Sequence, residues 1–245
     1  MRLKKILSII ICGRLLFLEY QKQRKGLLRL LPTNIAGHAR QVKEDDDKVL
    51  GEFFINTKQT HSQTLMPMVQ QVLIQTKTSL EEMDLFAVSA GPGSFTGVRI
   101  GVACVKGMAF AQNKPCIGVS TLEAMAYPLS MLNGIICAVM DARCQQVYHA
   151  LFRVNGSEVE RICDDCAIAI SDLAESLRQY SNETIYLVGD GAKLCYESEA
   201  FQPLQVQLIA EHLQYQRAVG VAQCAILHLK QDACTVTAEQ LSPVY

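Results

Sequence analysis

The segment Asp84-Leu-Phe-Ala-Val-Ser-Ala90 runs directly into the loop Gly91-Pro-Gly-Ser-Phe-Thr-Gly97, and a largely apolar stretch then continues to about Gln112. A short apolar run that ends at glycine and proline is typical of a buried strand. The longer apolar stretch after the loop predicts a helix. A strand, a glycine-rich loop and a helix in this order indicate one βα unit of an α/β fold.

Similar units lie on both sides of this segment. Predicted strands and helices alternate along the chain, with a hairpin turn at Asp141–Gln146. This order predicts a mixed α/β fold in two lobes. The predicted strands are Val49–Ile55, Cys116–Val119, Gly134–Met140, Val147–Val154, Glu158–Ile162 and Thr184–Val188, and the predicted helices include Ser62–Thr76 and Ser171–Tyr180. The predicted division is an atypical segment at 1–47, a first lobe at 48–115 to which 215–245 return, and a second lobe at 116–214.

The composition is that of a chain with a packed core. Of the 245 residues, 49% are hydrophobic and 19% are charged, which excludes a disordered protein. The net charge of −1 combines a net charge of +9 in residues 1–43 with −10 in the rest. A basic N-terminal segment leaves a nucleic-acid-binding role open. Because Arg14 interrupts the only signal-like apolar run, we expect a cytoplasmic protein without a membrane span.

The loop after the first quoted strand is a candidate anion site. Amides at a helix N-terminus attract phosphate, but the spacing is neither that of a Walker loop nor G-x-G-x-x-G. A tight turn that holds the helix to the sheet explains the glycines equally well. The candidate loop residues, near a nucleotide or a partner, are Gly91, Pro92, Gly93, Ser94, Thr96, Gly97 and Arg99.

Two helices carry features of an interface. Apolar residues recur at helical spacing in Ser62–Thr76, and Met66 and Ile74 widen that apolar surface. Small residues four apart in the next helix allow another helix to approach closely. A partner surface and packing within the domain both explain this pattern. The candidate interface residues are Leu65, Met68, Val69, Val72, Gly97 and Gly101.

Catalytic and metal motifs are missing from the sequence. The five histidines form no H-x-x-x-H pair, and there is no G-x-S-x-G motif. The ten cysteines do not form the framework of a short secreted protein, so we expect free thiols. The only C-x-x-C is Cys163-Asp-Asp-Cys166, which we interpret as an ordinary pair because no second ligand pair is evident nearby. We therefore predict no catalytic residue and no bound metal.

The quoted loop also carries a family resemblance. Ser89–Gly101, Lys106-Gly107 and Gly118-Val-Ser-Thr-Leu-Glu-Ala-Met-Ala126 resemble the TsaB (YeaZ) family over about residues 48–245. Further matches are His61-Ser-Gln-Thr-Leu65, Met140-Asp-Ala-Arg143, Gly189-Asp-Gly-Ala192 and Pro243-Val-Tyr245. The resemblance implies a two-lobed actin-like (RNase H-like) fold with an atypical N-terminal strand region.

The resemblance further implies a non-catalytic scaffold or dimerisation subunit. Its partner would be the paralogue TsaD, which places a threonylcarbamoyl group on the adenosine next to the tRNA anticodon. The partner-facing helices would correspond to Ser62–Thr76 and Thr96–Gln112. A TsaE-type ATPase and tRNA would join through the complex, and a homodimer would form in isolation. No cofactor is predicted for the chain itself, although a nucleotide could occupy a subunit boundary.

Two departures bear on catalysis. Alignment of the TsaD metal motif through Val119 places its two histidines on Thr121 and Met125, neither of which replaces imidazole as a ligand. At the start of the chain, Ile10-Ile-Cys-Gly-Arg14 replaces an acidic turn, and no second strand is recognisable before Asp47. A shifted reading frame and a divergent insertion are the two hypotheses for this stretch. The rival functions are a stand-alone actin-like ATPase or peptidase-type enzyme acting through Gly91–Gly97, and a direct nucleic-acid binder.

Overall fold

The computed structural model describes residues 5–11, 15–22, 47–55, 61–156, 158–231 and 234–244. In these ranges the chain forms two β-sheets with helices outside and between them. The predicted mixed α/β fold in two lobes is thereby confirmed.

The first sheet has the strand order β3-β2-β1-β4-β5. Neighbours β3, β2 and β1 are antiparallel, whereas β4 and β5 run parallel to β1. The strands are β1 (Lys5–Ile11), β2 (Leu15–Lys22), β3 (Asp47–Ile55), β4 (Leu85–Gly91) and β5 (Cys116–Ser120).

The second sheet repeats the topology of the first. Its order is β8-β7-β6-β10-β11, again with three antiparallel strands followed by two parallel ones, and β9 pairs with the free part of β7. This repeat is the two-lobed actin-like (RNase H-like) architecture that the resemblance implied. The strands are β6 (Asn133–Arg143), β7 (Gln146–Asn155), β8 (Glu158–Arg161), β9 (Cys166–Ala169), β10 (Ile185–Val188) and β11 (Val206–Leu208).

Six α-helices occur in the described ranges. They are α1 (His61–Thr76), α2 (Phe95–Gln112), α3 (Thr121–Ala126), α4 (Ile170–Leu177), α5 (Ala192–Tyr196) and α6 (Ala218–Lys230). Single 3₁₀ turns lie at Leu80–Glu82, Tyr127–Leu129, Arg178–Tyr180, Glu199–Phe201 and Glu211–Leu213. Within the described ranges, no helix combines the length and the apolar character that crossing a membrane requires.

The helices form three layers around the two sheets. In β4, Phe86 and Val88 pack against α1 and α2, whereas Leu85 and Ala87 pack against α3 and α6 on the opposite face. Successive strand residues point to opposite faces, so this fully apolar strand is covered on both sides. The second sheet likewise has α3 on one face and α4 and α5 on the other. The pair α3 and α6 therefore lies between the lobes.

A single glycine permits the close contact between these two helices. A Cβ atom at Gly220 of α6 would lie 1.9 Å from the carbonyl oxygen of Ala124 in α3. No real Cβ is found at that distance, so any larger residue would push the helices apart. Gly220 thus sets the distance between the two helices that join the lobes.

The structure differs from the sequence-based prediction at the first lobe. Residues Leu15–Lys22 form β2, so the prediction that no second strand precedes Asp47 was wrong. Much of the remaining N-terminal stretch, including residues 12–14 of the departure at Ile10–Arg14, lies outside the described residues. Strand β5 pairs with β4 in the first sheet, whereas the predicted second lobe began at residue 116. Chain order alone does not show which neighbour a short strand selects.

The C-terminal segment returns to the first lobe. Val236 forms an antiparallel bridge with Cys116, and the Val244 amide donates to the Ala90 carbonyl at 2.8 Å. The ammonium of Lys106 donates to the carbonyls of Glu239 and Leu241, both at 3.0 Å. The last described residues therefore hold the end of β4 and one side of α2.

Candidate partner interface

The glycine loop is shaped by contacts within the chain. Gly91 has a φ of +139°, and a Cβ there would lie 2.0 Å from the carbonyl oxygen of Val244. Only glycine combines this backbone conformation with so close an approach. The returning C-terminal segment thus accounts for Gly91 without any ligand, and this favours the structural explanation of the loop over the phosphate-binding one at that position.

The polar residues of the loop lie at the start of α2. Ser94 is the N-cap, and its hydroxyl accepts a hydrogen bond from the Gly97 amide at 3.4 Å. The guanidinium of Arg99 lies 3.9 Å from the centroid of the Phe95 ring, a cation–π contact. Thr96 is exposed on the same turn, while Pro92 is buried and Gly93 half-buried. The loop therefore brings all the predicted residues to one helix end, as expected from their spacing.

The candidate residues on α1 lie in the core of the first lobe. Leu65, Met68, Val69 and Val72 are at most 4% exposed and pack against β4 and α2. Their regular spacing marks the face that α1 turns towards the sheet, which corrects their assignment to a partner-facing surface. Acidic substitutions at these positions would disrupt the core, so they cannot test partner binding.

The glycines of α2 follow the same pattern. Gly97 and Gly101 are buried and lie on the inner side of the helix. Their assignment to a partner-facing surface is therefore corrected as well. Ala103 and Gly107 are exposed on the other side, and a Cβ at Gly107 would have no neighbour within 4 Å. The open small-residue positions of this helix are therefore 103 and 107.

The outer faces of α1 and α2 carry large exposed apolar side chains. Phe95 and Phe110 of α2 are 56% and 69% exposed, and Met66 and Ile74 of α1 are 44% and 55% exposed. Aromatic residues and methionine are enriched at protein–protein interfaces relative to the rest of the surface. We call these four residues, with Ala103 and Gly107, the outer face. The sequence signal for it was the apolar positions outside the regular stripe.

Thr121 and Met125, the positions aligned with the metal histidines of the paralogue, are buried. The Thr121 hydroxyl is hydrogen-bonded to the hydroxyl of Ser89 on β4, and Thr121 is fully buried. Met125 is 3% exposed and packs among apolar residues of the second lobe. In the part of the chain that the structure describes, no three His, Cys, Asp or Glu side chains are arranged to hold a metal ion.

A charged network connects the lobes next to these positions. Glu123 of α3 accepts hydrogen bonds from Arg161 Nη2 at 3.0 Å and is 2.9 Å from His228 Nε2 of α6. Arg161 also donates to Asp165 at 2.7 Å, and Asp165 accepts the hydroxyl of Ser120, the α3 N-cap, at 2.5 Å. Burial acts to raise the pKa of Glu123, but the hydrogen bonds and charges of His228 and Arg161 outweigh it, so the pKa is lowered.

This network predicts a specific loss of stability in acid. Because the folded-state pKa of Glu123 lies below its unfolded value, the carboxylate stabilises the fold above pH ~4.3 and loses this effect as the pH falls through the folded-state pKa. At pH 7, Glu123→Gln removes one of the two carboxylates bonded to Arg161 and the carboxylate next to His228, and we expect a loss of about 2 kcal/mol in the free energy of unfolding. Urea denaturation between pH 3 and 7 should show the difference between variant and unsubstituted chain shrinking below pH ~4.

The control is an exposed ion pair on α5. Glu197 lies 3.6 Å from Lys193, and both side chains are more than half exposed. We expect Glu197→Gln to change the free energy of unfolding by no more than about 0.5 kcal/mol. A deficit in Glu123→Gln that stays constant from pH 7 to pH 3 would contradict the assignment.

Comparison with known proteins identifies relatives of this chain. The family model described as "TsaD: tRNA N6-adenosine threonylcarbamoyltransferase" matches residues 48–238. The TsaB protein of Escherichia coli is 30% identical over 204 residues, which cover 75% of this chain and 88% of that protein. The TsaB protein of Bacillus subtilis is 32% identical over 145 residues, 59% of this chain, and the match spans 63% of that relative, slightly under two thirds of its length.

A solved structure shares the fold. YeaZ from Pseudomonas aeruginosa superposes with a TM-score of 0.75 and 22% sequence identity over 99% of both chains. The family model covers well over half of the chain, and the E. coli protein is matched over most of its length. The sequence motifs, the repeated sheet topology and these matches together show that the chain belongs to the TsaB (YeaZ) family.

Proposed function

We propose that this chain is a non-catalytic subunit that binds TsaD and thereby supports threonylcarbamoylation of the adenosine next to the tRNA anticodon. The observation that carries the proposal is the outer face, whose four large apolar side chains are between 44% and 69% exposed. The relatives named TsaB are described as tRNA threonylcarbamoyladenosine biosynthesis proteins, which supports the same pathway for this chain.

The substitution of the aligned metal positions supports the non-catalytic role. A fully buried threonine hydroxyl bonded to Ser89 and a thioether in an apolar cluster supply neither the ligand type nor the open geometry of a catalytic metal. The scaffold is retained and the helices α1 and α2 remain exposed on their outer sides. This combination favours a subunit that acts through binding.

Other parts of the complex follow from the same proposal. A TsaE-type ATPase and tRNA would join once TsaD is bound. Without its partner, the chain would cover the outer face by forming a homodimer, since closed symmetric pairs are the commonest way to bury such a surface. A subunit that supports modification of tRNA would work in the cytoplasm.

The test combines assembly with activity. The purified chain is analysed by size-exclusion chromatography with light scattering, alone and mixed with TsaD, and threonylcarbamoyladenosine formation on tRNA is measured with and without the chain. We expect a stable heteromeric complex and modification that requires both proteins. Turnover of ATP or peptide by the chain alone would instead support a stand-alone actin-like ATPase or peptidase-type enzyme. A salt-sensitive electrophoretic shift of tRNA without TsaD would support direct nucleic-acid binding.

A further inference from the structure

Two cysteines and one histidine meet at the edge of the second sheet, in β7, β9 and the connection between β8 and β9, which are remote in sequence from the outer face. Cys166 of β9 lies opposite His149 of β7 in the antiparallel register, and its Sγ is 3.4 Å from Nδ1 of the imidazole. The Sγ atoms of Cys163 and Cys166 are each 3.9 Å from Nε2 of the same ring. We call these three residues the dithiol cluster. From the sequence alone the cysteines were interpreted as an ordinary pair because no second ligand pair is evident nearby, and His149 joins them only through strand pairing.

The imidazole lies within reach of both thiols and can act as the base in a thiol exchange, although burial makes the proton transfer from thiol to imidazole uphill. His149 is 5% exposed, and burial lowers its pKa, so the ring is neutral and can accept a proton. Burial raises the pKa of both thiols, which are therefore protonated at neutral pH and need such an acceptor. The Leu151 amide donates to Cys163 Sγ at 3.2 Å, a contact that favours the thiolate. Cys166 is exposed and can meet a small molecule.

We propose that Cys163 and Cys166 form a redox-active dithiol that is oxidised by exchange with a small-molecule disulfide such as oxidised glutathione. Cys166 transfers its proton to His149, and its Sγ attacks one sulfur of glutathione disulfide. The disulfide bond breaks, and the released thiolate takes the proton from the imidazolium. Cys163 then loses its proton to the same ring and attacks Cys166 Sγ, which releases the second glutathione as a thiol. Two protein thiols are thus oxidised by two electrons while one glutathione disulfide is reduced to two thiols.

The disulfide would act on the charged network between the lobes. Asp164 and Asp165 separate the two cysteines, and Asp165 binds both Ser120 of the α3 N-cap and Arg161. The sulfurs must move from their separate positions at His149 to about 2.05 Å from each other. We expect this movement to shift the backbone that carries Asp165, because Asp165 lies between the two cysteines. Oxidation is therefore expected to weaken the contacts that hold α3, and through Glu123 those that hold α6.

Mass spectrometry can follow each step on defined peptides. Trypsin cleavage after Arg161 and Arg178 places both cysteines, and no others, on peptide 162–178. Cleavage after Arg143 and Arg153 places the exposed Cys144 alone on peptide 144–153, which serves as an internal control. After incubation of the full chain with glutathione disulfide, we expect peptide 162–178 to lose two hydrogen atoms. Peptide 144–153 should instead carry a glutathione adduct.

A cysteine variant tests the order of the two steps. In Cys163→Ser the second step is blocked, so peptide 162–178 should retain glutathione on Cys166. The unsubstituted oxidised chain should unfold at a lower temperature than the reduced chain, and a Cys163→Ser/Cys166→Ser variant should show no shift under the same treatment. The proposal is overturned by a persistent adduct on Cys166 in the unsubstituted chain, or by an unmodified peptide 162–178 when Cys144 has reacted. A disulfide without any thermal shift overturns its coupling to the lobes.

Discussion

Replacing Ala103 and Phe110 together by glutamate is expected to abolish the proposed complex with TsaD while leaving the chain folded. Both residues lie on the exposed side of α2, two helical turns apart, and Phe110 is 69% exposed. Two carboxylates in an apolar interface would be desolvated without partners, and an aromatic anchor would be lost. We expect affinity to fall at least about 100-fold, which corresponds to about 2.8 kcal/mol. Isothermal titration of TsaD with each chain measures this change.

The matched control is an apolar residue that is equally exposed in the other lobe. Met131 is 60% exposed and lies between α3 and β6. Met131→Glu introduces a similar charge outside the outer face, so TsaD affinity should stay within about twofold. Circular dichroism and thermal unfolding of all the chains separate loss of binding from loss of fold. A double variant that binds TsaD normally would show that the partner uses another surface.

Alanine at Gly220 and alanine at Gly107 are expected to change stability in opposite directions. Glycine inside a helix normally costs about 0.5–1 kcal/mol relative to alanine, so Gly107→Ala, with open space around the new methyl group, should stabilise the chain by about that amount. At Gly220 the same methyl group would lie 1.9 Å from the Ala124 carbonyl oxygen. The resulting shift of α6 against α3 should cost about 3 kcal/mol.

Urea denaturation of the two variants beside the unsubstituted chain measures both effects at once. Each substitution adds a single methyl group to a glycine in a helix, so differences in intrinsic helix propensity largely cancel. The comparison therefore isolates the helix contact between the lobes. Equal stabilisation by both substitutions would mean that α3 and α6 can separate without cost.

The elements of the fold were largely predictable because their patterns are local. Gly134–Met140 and Val147–Val154 were recognised as strands by their β-branched and apolar content, and they form β6 and β7. Strand β2 was missed because its sequence mixes apolar, basic and acidic residues, and pairing with β1 and β3 determines its conformation. The short strands β9 and β11 depend in the same way on their neighbours.

The candidate site was less predictable because it depends on contacts between segments that are distant in the sequence. Helical periodicity identified Leu65, Met68, Val69 and Val72 as one face, but that face is the one turned to the sheet. The sequence marked Met66 and Ile74 as apolar positions outside the regular stripe, but the exposure of Phe95 and Phe110 became evident only from the packing. Likewise, Gly91 is explained by the approach of Val244 from the far end of the chain.

The return of the C-terminal segment to the first lobe has a consequence for the order of synthesis. The strands of the second sheet lie within residues 133–208, so that lobe is synthesised as one continuous segment of the chain. Helix α6, which covers one face of the first sheet, and the segment that closes on Ala90 follow the second lobe in the sequence, so they are synthesised after it. A nascent chain therefore exposes the apolar face of the first sheet that packs against α6 until residues 218–230 have emerged. During that interval, we expect the first lobe to be more prone to aggregation than the second.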